Sequence, residues 1–162
     1  MILVIDGYNV IHRARIMLSE PLERQREELI RLAAGFRQKK NVEAVIFFDS
    51  NTHAEFLDRP DHPLVKVIFA QNESADDAIV HWVSAHKNAG EIEVATDDKS
   101  LRSRSKHWGA KSISVEELMH RFRPESFTKP SNNSRAEESG NEKPTNNYYI
   151  SQQINKTLPW GK

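Results

Sequence analysis

Short apolar runs of strand length recur along this chain, and three of them close on aspartate: ILVID (residues 2–6), AVIFFD (44–49) and EIEVATDD (91–98). Between them lie stretches with helical spacing. Strands that are apolar on both faces and alternate with helices belong to a parallel sheet covered on both sides. That alternation narrows the fold to the α/β class before any single residue is weighed.

The spacing predicts strands at 2–6, 44–48, 64–70, 91–96 and 110–113. Helices are predicted at 21–40, 74–88, 99–108 and from 114 to 122. Pro21 suits a first helical turn, and Leu22, Leu29, Leu32, Ala33 and Phe36 form one stripe above a basic C-terminal end at Lys39 and Lys40. Ser114-Val115-Glu116-Glu117 reads as a capping box. Glu91 and Glu93 interrupt the apolar pattern, which predicts that the fourth strand starts less covered.

After Pro124 the composition changes to SFTKPSNNSRAEESGNEKPTNN, a polar stretch expected to be disordered. The expected organisation is therefore a domain over residues 1–123 and a tail over 124–162. A segment at 148–162 regains Tyr, Ile, Leu and Trp and is a candidate docking peptide. With 162 residues, one domain and an appendage are the natural content. No apolar run approaches membrane-spanning length and no leader pattern opens the chain, so a cytoplasmic protein with no membrane partner is expected.

Charge and cysteine content bound the chemistry. The chain has 23 basic and 23 acidic residues, so a global basic field for nucleic acid is absent and any such contact needs a local patch. It has no cysteine, so a metal would have to be held by oxygen or imidazole.

In an open parallel sheet, ligands bind beyond the carboxyl ends of the strands. Asp6, Asp49 and the pair Asp97 and Asp98 run off that edge, and NESADD (72–77) opens the helix after the third strand. Each acid taken alone fits a turn or a helix cap. As a set they fit that role less well, because Ser, Thr or Asn would cap equally well. Two carboxylates about 4 Å apart repel by roughly 4 kcal/mol at an effective dielectric near 20. Such a cluster calls for protonation or for a hard cation, Mg²⁺ or Mn²⁺. Helical geometry places Asp76 above the apolar stripe of Ile79, Val80 and Val83, facing the sheet, and Asp77 on a mostly polar face. Glu73, Asp77 and Asp97 are candidates for standing behind the ligands. Asn9 could support a carboxylate or a phosphate, or stabilise the turn that Gly7 permits. Tyr8 could stack on a base or pack at that turn.

A basic stretch, KSLRSRSKH (99–107), follows Asp98 directly. Lys99, Arg102, Arg104 and Lys106 are candidate phosphate contacts, with Arg13 a weaker one. The alternative is a solvated charged face. The histidines are scattered and carry no ligand spacing.

Taken in order, IDGYNVI, FFDS, NESADDAI, ATDDKSLR and GAKSISVEEL resemble the motifs of the YacP-like branch of the NYN domains, PIN-like ribonucleases of the bacterial cytoplasm. The resemblance covers roughly residues 1–122 and leaves the Asn-rich tail outside. It implies a PIN-like three-layer α/β/α sandwich with a mostly parallel sheet of about five strands. It also implies divalent-metal-dependent endonucleolytic cleavage of RNA, with Mg²⁺ or Mn²⁺ and no small-molecule cofactor. Carried over by position, the metal-site acids are Asp6, Asp49, Asp76 and Asp98, supported by Asn9. Asp97 stands where the family usually has a small or amide residue. Work on mRNA at the ribosome is a further implication. A non-catalytic RNA- or ribosome-binding module on the same fold is the alternative. An aspartyl-phosphate phosphatase is disfavoured, since Tyr8 stands where a second Asp would be needed.

Overall fold

In the computed structural model, residues 1–50 and 62–123 are described. The expected tail, with its segment at 148–162, lies outside the described residues. Five strands form one all-parallel sheet: β1 (Ile2–Asp6), β2 (Glu43–Asp49), β3 (Lys66–Ala70), β4 (Ile92–Ala95) and β5 (Lys111–Ile113). Their order is β3-β2-β1-β4-β5. Five helices connect and follow them: α1 (Gly7–Ala14), α2 (Leu22–Lys40), α3 (Ala75–Ser84), α4 (Lys99–His107) and α5 (Val115–Phe122).

Strand parity divides the core into two layers. Leu3, Ile5, Ala44, Ile46 and Phe48 face one side and pack with residues of α1, α2 and α5. Val4, Val45, Phe47, Ile92 and Val94 face the other and pack with residues of α3 and α4. The chain first builds β1 to β3 in one direction, then returns to add β4 and β5 beyond β1. Right-handed crossovers put the covering helices on opposite faces when that direction reverses. The result is a three-layer α/β/α sandwich with its switch point between β1 and β4.

Several boundaries differ from the sequence-based expectation. The helix predicted over 74–88 ends at Ser84, and a short 3₁₀ turn at Ala89–Glu91 precedes β4. His86 leaves the helix to lie against Trp82, with ring centroids 4.5 Å apart. Glu93 does not mark an uncovered strand start. It is half-buried and accepts a hydrogen bond from Arg121 of α5 at 2.7 Å, so an ion pair covers the strand there.

Gly7 has a different reason from the expected turn. It is the first residue of α1, which begins straight after β1 with Asp6 as its N-cap. A Cβ at Gly7 would enter the Phe48 ring and lie 2.8 Å from the Phe47 carbonyl oxygen. Glycine is required because β2 passes so close to the helix start. Tyr8 packs inward: its ring sits 5.0 Å from Phe48, and its hydroxyl accepts from Arg26 at 2.9 Å.

Candidate active site at the carboxyl edge

β1 is buried on both faces, so its last residue enters the carboxyl edge from the middle of the sheet. Asp6 is only 6% exposed there. Its Oδ1 accepts the Asn9 N–H at 3.4 Å, and its Oδ2 accepts the Thr96 hydroxyl at 2.9 Å. Burial pushes the Asp6 carboxyl up to about 6; Thr96 opposes the shift, and Asp76 and Asp49 add to it. A buried carboxylate with neutral donors and two acids nearby holds its proton more tightly.

The other acids arrive from three different segments. Asp49 ends β2 and accepts the Ala75 N–H, at the first turn of α3, at 2.7 Å. Asp98 caps α4, its Oδ1 accepting the Leu101 N–H at 2.7 Å. Asp76 lies half-buried in the first turn of α3. Its pKa is raised, first by burial, then by Asp98 and Asp49, while Arg104 opposes and Asp77 adds. Asp6 thus feels Asp76 and Asp49, and Asp76 feels Asp98 and Asp49. The four carboxylates share one electrostatic field at the β1/β4 switch point, and two of them, Asp6 and Asp98, also serve as helix N-caps.

The remaining candidates take other places. Asn9 does not turn back to Asp6 through its side chain; its Oδ1 accepts the Asp97 N–H at 3.0 Å, tying α1 to the loop after β4. Asp97 accepts the Val115 N–H at 3.0 Å and so fastens that loop to the start of α5, with Arg102 at 3.6 Å. Arg102 is turned inward, its Nε donating to the Thr96 carbonyl at 2.8 Å. Asp77 holds Arg104 at 2.5 Å and hydrogen-bonds Ser74, interactions that lower its pKa. Glu73 pairs with His81 at 2.9 Å instead of reaching the acids. Lys99 is exposed at the edge, and Lys106 lies exposed about 10 Å further along α4. Arg13 is exposed about 10 Å along α1 from Asp6 and is not brought to the acids.

Thr96 joins the site only in the folded structure. Its hydroxyl donates to Asp6 and accepts the Asp98 N–H at 3.0 Å, so one side chain orients two of the four acids. The available signal was a hydroxyl residue closing the buried run EIEVAT, immediately before the acid pair.

The donor set fits a hard divalent ion. All its ligating atoms would be carboxylate oxygens, and two of the acids have raised pKa values that a cation would reverse. Among the described residues no three acidic or histidine side chains form a closed cage. An ion such as Mg²⁺ takes one or two carboxylates and keeps its waters, so it does not need one. No helix of the described residues is long and apolar enough to cross a membrane.

Two solved structures share this architecture, both of Rae1 (YacP) from Bacillus subtilis. One matches with 28% sequence identity and a TM-score of 0.65, over 75% of this chain and 73% of that one. The other, a W164L mutant, matches with 28% identity and a TM-score of 0.61, over 75% and 74%. No curated protein gives a significant match. The model of the YacP-like NYN domain matches residues 3–159, reaching past the last described helix and past residue 122, where the quoted motifs stop. With the sheet order, the acid-lined switch point and a match over nearly its whole length in agreement, the chain belongs to the YacP-like NYN domain family, whose fold is of the PIN-like nuclease type.

Proposed function

We propose that this protein is a divalent-metal-dependent endoribonuclease that hydrolyses RNA phosphodiester bonds in the cytoplasm, with mRNA on the ribosome as its natural substrate. The observation that carries this reading is the shared field of Asp6, Asp49, Asp76 and Asp98, in which burial and like charge hold Asp6 at about 6. A module that only bound RNA would gain nothing from concentrating negative charge where the phosphates must come.

The four aspartates would hold Mg²⁺ or Mn²⁺. A bound ion of this kind supplies a water of lowered pKa and neutralises charge on the phosphodiester. The chain's own residues prepare the rest. Thr96 fixes the direction of the Asp6 and Asp98 segments. The Ala75 N–H fixes Asp49. Arg104, held by Asp77 and close enough to lower the Asp76 pKa, stands on the rim with Lys99, where RNA phosphates would be positioned.

The test is cleavage of a mixed RNA pool with Mn²⁺, with Mg²⁺ and with EDTA, beside Asp6→Asn, and each again with translating ribosomes. Metal-dependent cuts that vanish in Asp6→Asn are expected. Cleavage that survives EDTA, or that Asp6→Asn retains, overturns the reading. So does the lack of any cut in every condition.

A further inference from the structure

From Lys99 to Val115 the chain carries no acidic residue. This stretch contains all of α4, whose N-terminus is capped by Asp98 at the acid edge. Helical spacing puts Lys99, Ser100, Ser103, Lys106 and His107 on one face, and all five are exposed. Leu101 and Ser105 take the opposite, buried face. Arg102 and Arg104 leave this surface sideways, toward the Thr96 carbonyl and Asp77. The outward face of α4 is therefore lined by lysines, serines and a histidine, from the acids to its far end.

At that far end stands Trp108, the C-terminal cap of α4, about 15 Å from Asp98 along the helix. It is 49% exposed, one of three large apolar side chains so exposed among the described residues. The His107 ring meets it nearly perpendicular, at 5.5 Å. Its backbone N–H is tied to the Ser105 and Lys106 carbonyls, so the indole projects from a fixed turn. Lys111, exposed at the start of β5, follows three residues later. An exposed indole among cationic side chains suits a nucleobase with its neighbouring phosphates: the base stacks and the lysines neutralise.

We propose that the outward face of α4 is a track for single-stranded RNA, running from the acid edge to Trp108, which serves as its stacking platform. The inference deepens the nuclease reading and rests on it for the identity of the ligand. It commits to a single strand, because the base faces in a duplex are already stacked and unavailable to Trp108.

The experiment measures binding of the full-length protein to fluorescein-labelled oligouridine in EDTA, across a salt series. The probe annealed to its complement, and anionic vesicles, are measured alongside. Trp108→Ala is expected to weaken oligouridine binding about 5- to 100-fold, and Trp108→Phe to recover most of it. Lys106→Gln is expected to reduce the slope of log K against log salt by about 0.7. Oligouridine binding by Trp108→Ala at the wild-type level overturns the track. So does equal affinity for the duplex, or a Trp108 effect seen with vesicles and not with RNA. The cleavage assay separates this inference from the nuclease reading. Cutting without any dependence of binding on Trp108 removes the track alone. Trp108-dependent binding without cutting removes the nuclease alone.

Discussion

The Thr96 hydroxyl donates to Asp6 Oδ2 at 2.9 Å, joining residues 90 positions apart across the boundary between β1 and β4. The same oxygen accepts the Asp98 N–H. Thr96→Val keeps the shape of the side chain and removes both interactions, leaving a buried carboxylate without its strongest donor. A destabilisation of about 1–3 kcal/mol is expected in denaturant unfolding. Loss of such an orienting partner also weakens metal sites by about 10- to 100-fold, so the Mn²⁺ concentration needed for half-maximal cleavage should rise by that order. Thr96→Ser, which keeps the hydroxyl, should restore most of both.

The raised pKa of Asp6 gives stability a pH dependence. The folded protein binds this proton more tightly than the unfolded chain does, with a pKa of about 6 against the ordinary aspartate value of 3.8. Its contribution to stability is therefore fully present below about pH 4 and is lost as pH rises through 6. In EDTA, Asp6→Asn should be more stable than wild type in denaturant unfolding at pH 7–8, by up to about 3 kcal/mol, and the difference should shrink toward pH 4. Added Mg²⁺ should raise the Tm of wild type and have little effect on that of Asp6→Asn.

Gly7→Ala tests the approach of β2 to the start of α1. The new methyl group would collide with the Phe48 ring and press on the Phe47 carbonyl, 2.8 Å away. Overpacking of this kind costs about 1–3 kcal/mol, and backbone is among the atoms that must move. Urea midpoints should fall accordingly. Cleavage should fall as well, since Asp6 and Asn9 flank the displaced residue.

Ser105 offers the opposite sign. Its side chain is fully buried on α4, and its Oγ has no hydrogen-bond partner among the described residues. Ser105→Ala removes an unpaired buried hydroxyl and adds helix propensity, so stability should rise by about 0.5–1 kcal/mol in thermal or urea unfolding. A loss of stability would mean that the hydroxyl is paired.

Asp97 and Asp98 are neighbours with separable tasks. Asp97→Ala removes the acceptor for the Val115 N–H and should cost about 1 kcal/mol of stability, with cleavage reduced only in part. Asp98→Asn retains a cap on α4 and should abolish metal-dependent cleavage with the fold intact. Equal losses of cleavage in the two variants would refute this division of roles.

Much of this protein is legible in its sequence, because the features involved are local. ILVID and AVIFFD are apolar on both faces and must be covered strands, and Ser74, Asp98 and Ser114 stand where helix caps belong. The spacing of Ile79, Val80 and Val83 tells which side of α3 is buried, and therefore which way Asp76 and Asp77 face. What the sequence could not convey depends on strand order. Thr96 meets Asp6, and Asn9 meets Asp97, only because β4 returns to the side of β1 away from β2. Arg102 and Arg104 look alike in a basic run. One bonds a strand-end carbonyl and the other an acid on α3, because neighbours brought by the fold decide where a flexible cation finds its partner. Local propensity determines the elements and the acids they deliver. Long-range pairing of the strands decides which of those acids share a field, and which polar groups hold them in place.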